Sequence, residues 1–326
     1  MSKKVLFFTS TLATIALVST ALGVYAYASH TESDSTINAS KQYVLQNSAA
    51  IINLSDEETN NDLTYDDLDK INNTTENKSI GKSEIFHMML NSVDNYEKVS
   101  GSMAFSSDNK DIINVVDFES DLLGSISYSR FRQCTLNNIE DVKSGIYGDT
   151  VFEEQVYCVD GKQILIYPMD KTYRCIDNAV ITMRDATPIP DEQRIDVAED
   201  GLPLYRFRND PTNVLMSSMC LFPQDIAFGF LENQELWDIA DLIEIDGIMC
   251  YHINGKTSEE YGKKLNVDTF DFYINSDTGV LIRYEGFDSN GVLSDFMYTN
   301  DLCFNSSAKP VSKYSESITE DYDKIK

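Results

Sequence analysis

The sequence predicts an α+β protein that is mainly antiparallel β, with about eleven strands, an N-terminal helix and helices inserted mid-chain. Three observations predict it. Apolar spacing switches from helical to alternating at Tyr96–Val99. Asp160-Gly161 and Asp246-Gly247 punctuate period-two segments as two-residue hairpin turns. Aromatic residues make up 11% of the chain, as 18 Tyr and 16 Phe but one Trp. Tyr and Phe favour half-buried pleated surfaces.

The first element is a leader, residues 1–28. Lys3 and Lys4 precede an uncharged run from Val5 to Ala28 that ends Ala26-Tyr27-Ala28. A basic start, an apolar stretch and a small-x-small site describe a secretory signal. The run is also long enough to span a bilayer, which takes about 20 residues. Cleaved signal and N-terminal membrane anchor both stand. The lysines place the bulk of the chain outside the cytoplasm in either case. Contact with a membrane is expected only through this segment.

Residues 29–82 are a different material. They hold 10 acids with many Asn, Ser and Thr, and neither proline nor tryptophan. Such a segment buries too little to offset ordering entropy, and reads as an acidic flexible spacer.

The folded domain is expected over 83–305. Ser83 is the expected N-cap, with Glu84 in the first turn. Ile85, Phe86, Met89, Leu90, Val93 and Tyr96 then form one helical face. Val99, Gly101, Met103 and Phe105 alternate with Ser100, Ser102, Ala104 and Ser106, which is a strand. Five more extended segments follow, at 111–119, 125–135, 150–159, 162–167 and 172–176.

Residues 183–210 carry Pro188, Pro190, Pro203 and many acids, and read as a long surface loop. Asp210-Pro211-Thr212 starts a helix with proline in its first turn. Pro223 ends that helix and opens a second one through Ile226, Phe230 and Leu231. Strands resume at 237–245, 248–254, 265–274, 280–287 and 292–304. The tail, 306–326, is polar and expected to fray.

Charge and motifs exclude several functions. The net charge is −27, from 53 acids against 26 bases. That field repels phosphate backbones, so no nucleic-acid partner is expected. The three histidines, His30, His87 and His252, are scattered. No nucleophile elbow, zinc helix or phosphate loop occurs, and no catalytic residue, cofactor or metal is assigned. Asp288-Ser289-Asn290-Gly291 lacks the further oxygen ligands of a calcium loop and reads as a turn.

Six cysteines, at 134, 158, 175, 220, 250 and 303, allow disulfides outside the cytoplasm and equally allow buried thiols. The turns at 160–161 and 168–171 set Cys158 opposite 163 and Cys175 opposite 164. The two are then about 9–10 Å apart at the usual strand spacing, beyond the reach of a disulfide. Cys220 with Cys250, linking an inserted helix to the sheet, is the pairing left with most freedom.

The order of elements resembles the LolA-like lipoprotein carriers and the RseB-type periplasmic sigma-factor regulators. The segments that carry the resemblance are Asp94-Asn95-Tyr96-Glu97-Lys98-Val99-Ser100-Gly101 and Tyr157-Cys158-Val159-Asp160-Gly161-Lys162. Further ones are Asp246-Gly247-Ile248-Met249-Cys250-Tyr251-His252-Ile253, then Phe272-Tyr273-Ile274-Asn275 with Thr278-Gly279-Val280-Leu281. The resemblance implies a strongly curved sheet forming a half-open barrel, with the mid-chain helices as a lid.

If the sheet curls so, Met103, Phe105, Val116, Phe118, Phe270, Phe272, Ile282, Tyr284 and Phe296 line its concave side. They either fill a core or bound an apolar pocket. Met216 and Phe228 are placed to close it. The expected function is a non-enzymatic extracytoplasmic binding protein, secreted or anchored, holding a lipid or lipidated peptide. The alternative is a membrane-tethered envelope sensor with a protein partner.

Overall fold

In the computed structural model the described residues are 80–177, 189–190, 193–198, 201 and 203–325. The leader and nearly all of the spacer lie outside them.

The N-terminal helix, α1, spans Lys82–Leu90. Gly81 rather than Ser83 is its N-cap, because the Glu84 carboxylate turns back to accept the Gly81 N–H at 2.7 Å. Ile85, Met89 and Leu90 are buried on one face. A six-strand meander follows: β1 Lys98–Phe105, β2 Ile112–Asp121, β3 Ile126–Thr135, β4 Thr150–Val159, β5 Lys162–Tyr167 and β6 Thr172–Ile176. A short helix, α2 Ile139–Lys143, interrupts it, capped by the Asn138 side chain. Asp160 and Gly161 both take positive φ, as the two-residue hairpin turn requires.

The proline-bearing loop holds a small separate hairpin, β7 Ile195–Val197 with β8 Pro203–Tyr205. Three short turns follow. They are a 3₁₀ turn at Leu215–Ser217, α3 Ser218–Leu221, and α4 Gln224–Ile226 running into a π-helical turn, Ala227–Leu231. Pro223 is the N-cap of α4. The second meander comprises β9 Trp237–Ile245, β10 Ile248–Lys256, β11 Thr269–Asn275, β12 Leu281–Phe287 and β13 Leu293–Phe304. A helix, α5 Glu259–Leu265, precedes β11 and takes Leu265, the first residue of the expected strand. The Ser258 hydroxyl caps it, and Asn266 ends it in the left-handed region.

The eleven expected strands are present and share one sheet. A twelfth, β14 Asp323–Lys324, is added by the tail. The order is β14-β6-β5-β4-β3-β2-β1-β13-β12-β11-β10-β9. All neighbours are antiparallel except β14, which runs parallel to β6. The sheet is curved and open, a half-open barrel in which β1 pairs with β13 to join the two meanders. Bulges interrupt the ladders at Ser100/Ser102, Gln133/Cys134 and His252/Ile253, and bulges bend strands.

One face of the sheet carries the inserted segment 212–231, and is called the helical face below. The Ser127 hydroxyl donates to the Thr212 carbonyl at 2.7 Å, and the Cys158 thiol points to the Asn213 carbonyl. The opposite face holds two apolar clusters. Ala104, Ile113, Val115, Cys134, Phe296 and Tyr298 pack with Val142 of α2. Tyr157, Ile164 and Ile166 pack with Tyr314, Ile318 and Tyr322 of the tail.

The tail therefore does not fray. Lys309 N–H donates to the Ser100 hydroxyl, and Ser312 N–H to the Glu119 carboxylate. Tyr314 sits with its ring 5.7 Å from that of Tyr157. A polar composition concealed two aromatic rings, Tyr314 and Tyr322, and one isoleucine, Ile318, spaced to meet a sheet.

All six cysteines are free thiols, Cys220 and Cys250 included. Cys250 is paired across from Asn275 and Ile243, one residue out of phase with the helical-face residue Ile253. Its side chain thus points to the opposite face, while Cys220 lies in the segment covering the helical face. The sheet separates the two. The register also sets Cys158 against Gln163 and Cys175 against Ile164, as expected from the turns, and puts those two on opposite faces.

Two measurements check this arrangement. Tyr314→Ala removes a half-buried ring from the tail cluster and is expected to cost about 1–3 kcal/mol in urea denaturation. Alkylation in denaturant without reductant is expected to label all six cysteines.

Candidate functional site

Cross-strand partners point to one face of a sheet. A continuous row runs through Phe105, Met297, Tyr284, Phe272 and Ile253, each directly opposite the next. Met103 faces Val116, and Phe118 faces Gly101 in the same phase. Phe270 lies opposite Gly286, and Ile282 keeps phase with Tyr284 along β12. Eight of the nine expected lining residues thus share the helical face. All are buried, none more than 5% exposed.

Phe296 does not belong with them. It pairs with Glu285, one residue out of phase with Tyr284–Met297, and stacks on Tyr298 beneath α2. Met297 occupies the position assigned to Phe296. The cause is a strand apolar on both faces: Phe296-Met297-Tyr298 shows no alternation from which to choose phase.

The expected lid residues also divide. Met216 is half-buried in the 3₁₀ turn. Phe228 is buried but turns toward Phe86 of α1, Tyr205 of the small hairpin and Phe207 at 4.5–5.8 Å, rather than toward the strands of the main sheet. The residue that reaches the strands is Phe230. Its ring lies 5.0 Å from Phe270, 5.1 Å from Phe272, 5.5 Å from Tyr284 and 5.2 Å from Tyr261 of α5. Ile226 and Phe230, four residues apart, were the available signal. The π-helical turn, with its wider spacing, decides which ring points inward. Gly229 lets the turn approach, since a Cβ there would sit 2.4 Å from the Tyr261 ring.

Polar anchors hold the inserted segment. Arg194 and Arg208 are almost fully buried. Arg194 donates to the Leu90 carbonyl and the Asn91 side chain at the C-terminal end of α1, and to Gln224 of α4. Arg208 grips the Asp94 carboxylate with both guanidinium nitrogens, at 2.6 and 2.9 Å. The Asp210 carboxylate accepts from Thr212, Asn213 and Val214 N–H groups, which shapes the first turn of the segment. The Leu221 carbonyl takes hydroxyls from Ser92 and Tyr96. No sequence motif announced the two arginines, because their acceptors are mostly carbonyl and amide oxygens distant in sequence.

A polar end adjoins Phe230. The Tyr284 hydroxyl donates to Asp295 at 3.1 Å, and the Ser106 hydroxyl donates to the same carboxylate. Burial pushes Asp295 above its ordinary value, with those donors offsetting part of the shift. Burial likewise raises the Tyr261 phenol to about 12.

Elsewhere, a cleft of about 480 Å³ lies between the tail and the ends of β1 and β2, lined by Lys98, Asp121, Lys309 and Lys313 among others. Lys98 is paired there with Asp121. His252 bonds Asp271 at 2.8 Å on the opposite face, in no array of catalytic groups. Among the described residues no group of His, Cys, Asp and Glu is placed to hold a metal. None of their helices is long and apolar enough to cross a membrane.

A carboxyl whose folded value is raised stabilises fully below its unfolded value, and the contribution is lost as pH rises through the folded value. Asp295→Asn stays neutral throughout. Its stability relative to the native protein is therefore expected to improve as pH climbs from about 3.8, then level off. Urea midpoints across pH 3.5 to 8 check this, and a pH-independent difference would contradict it.

No family model and no curated protein matches this chain. Solved structures do. Pseudomonas aeruginosa MucB in its complex with MucA aligns at 11% identity and TM-score 0.34, covering 69% of this chain and 57% of MucB. The chain thus spans less than two thirds of MucB. A putative outer membrane lipoprotein-sorting protein domain from Vibrio parahaemolyticus aligns at 10% identity and TM-score 0.24, covering 70% and 95%. The Mycobacterium tuberculosis lipoprotein LppX aligns at 10% identity and TM-score 0.32, covering 71% and 97%.

Proposed function

We infer that this chain is an extracytoplasmic, non-enzymatic binding protein that holds a lipid or lipidated peptide against the helical face of its sheet. The observation that carries this is Phe230. Of the two phenylalanines on a short, irregular turn, it is the one seated among four rings of the sheet and α5. An acyl chain offers the same surface and can take its place when the turn lifts. The anchors differ along the segment in a way that suits this. Residues 194–224 are tied by buried guanidinium and amide bonds, whereas 227–231 is seated chiefly by rings. The leader supplies the location, by cleavage or by anchoring. No constellation among the described residues suits covalent or acid–base catalysis.

Phe230→Ala is expected to leave an apolar cavity, and such cavities stay dry and admit small apolar molecules. The full chain and the variant are titrated with 1-anilinonaphthalene-8-sulfonate and, because that probe is anionic, with the neutral N-phenyl-1-naphthylamine. The neutral dye should bind the native protein and bind the variant more tightly and faster. Phe230→Leu, which keeps most of the packing, should fall between. Native mass spectrometry after mild extraction should show a retained lipid. Absence of dye binding and of any lipid in all three proteins would overturn the inference.

A further inference from the structure

The sheet ends at β9, and among the described residues nothing pairs with its outer side. An open edge exposes backbone N–H and C=O groups that template another strand. The closing pair of a two-residue hairpin, here Ile245–Ile248 around Asp246-Gly247, is hydrogen-bonded, and bonded pairs alternate along an antiparallel ladder. Backbone groups of Leu242 and Glu244 therefore point outward. Beyond the bulge, Lys256 N–H bonds the Leu236 carbonyl, so Trp237 and Ile239 point outward as well.

The edge has a definite chemistry. No lysine or arginine occurs between Arg208 and Lys256, while Glu232, Glu235, Asp238, Asp241 and Glu244 recur at every third position. Asp238 and Asp241 lie on the face opposite the helical one, whereas Leu242 shares the helical face with Met249. Leu242 is 49% exposed and Met249 40%. An ammonium group already occupies the near end of the edge. Lys82 of α1 donates to the outward Trp237 carbonyl and to the Gln234 carbonyl, pairs with Asp238 at 2.8 Å, and lies 5.3 Å from the Trp237 ring centre. The Asp241 carboxylate holds the outward Leu242 N–H at 2.7 Å.

These features discriminate among occupants. A second copy would bring an equally acidic edge and is repelled, which is how natural edges avoid self-pairing. A segment with alternating basic and apolar residues matches both faces: ammonium groups beside Asp238 and Asp241, and apolar side chains beside Ile239 and Leu242.

We propose that the outer edge of β9 is a docking strand for an extended protein segment of alternating basic and apolar residues, added as a thirteenth strand of the sheet. This does not depend on what the helical face holds.

The test uses the full chain and three fluorescent nine-residue peptides: Lys-Val alternating, Glu-Val alternating, and the lysine peptide with its two central valines replaced by proline. Anisotropy should show binding of the first alone. Losing the ladder bonds at two prolines should weaken binding about tenfold or more. Asp241→Lys should weaken the lysine peptide several-fold while leaving the urea midpoint near native. Hydrogen exchange should slow at Ile239, Leu242 or Glu244 when the lysine peptide is bound. Equal binding of the proline peptide would show charge attraction without strand addition and overturn the proposal. So would protection elsewhere than β9, or no binding of the lysine peptide at millimolar concentration.

Discussion

The pairing of β1 with β13 is the contact on which the rest of the structure depends. Val99 to Phe105 meet Met297 to Phe304, about two hundred residues away. Without that ladder the two meanders are separate sheets, each with an additional open edge. With it, Met297 is brought between Phe105 and Tyr284, and the apolar row becomes continuous. Such a long-range closure gives no return until both meanders have formed, because loop entropy must be overcome first. The bulge at Ser100/Ser102 sits in this ladder, with Gly101 packed against Leu302, where a Cβ would meet that residue at 3.0–3.1 Å. Bulges add local bend and twist, so the join is also a place where the sheet curves.

Closure leaves two apolar faces to cover, and the chain covers them by different means. The helical face receives a segment from mid-chain, seated by two buried arginines and by aromatic rings. Buried ionic groups contribute little net stability against an apolar replacement. The Arg208–Asp94 fork instead specifies geometry, since two parallel bonds admit one seating of the segment on the 3₁₀ turn that follows α1, Ser92–Asp94. Gly279, in the turn between β11 and β12, lets that turn approach α1: it takes φ of +75°, and a Cβ there would strike the Met88 carbonyl. The opposite face receives the C-terminal tail, whose tyrosines complete a cluster with Tyr157 and Ile164.

Charge and packing act on separate parts of the molecule. The acids are largely a solvated coat, but at β9 they coincide with exposed ladder groups. Among the described residues the sheet thus has one edge ended by the short parallel strand β14 and one that is acidic and unpaired. The helical face, by contrast, is closed over by side chains of this same chain.

Much of the fold was legible in the sequence because period two is a local property. Alternation at Val99–Phe105 and the Asp-Gly turns place strands without knowledge of their partners. The same periodicity selected eight of nine residues of the helical face, and failed at Phe296, where three consecutive apolar residues erase the phase. The short helices α2 and α5 escaped because five and seven residues show too little pattern. The tail escaped because Tyr314, Ile318 and Tyr322 gain their meaning only from the sheet they touch. The expectation of a leader, the acidic balance and the absence of catalytic motifs came from sequence alone, since composition and hydropathy need no neighbours. Only the tertiary structure decided which way each strand faces, that Phe230 rather than Phe228 meets the strands of the main sheet, that Cys220 and Cys250 lie on opposite sides of it, and that no described residue pairs with the outer edge of β9. Each of these is a relation between residues far apart in the chain, set by register and closure rather than by local preference.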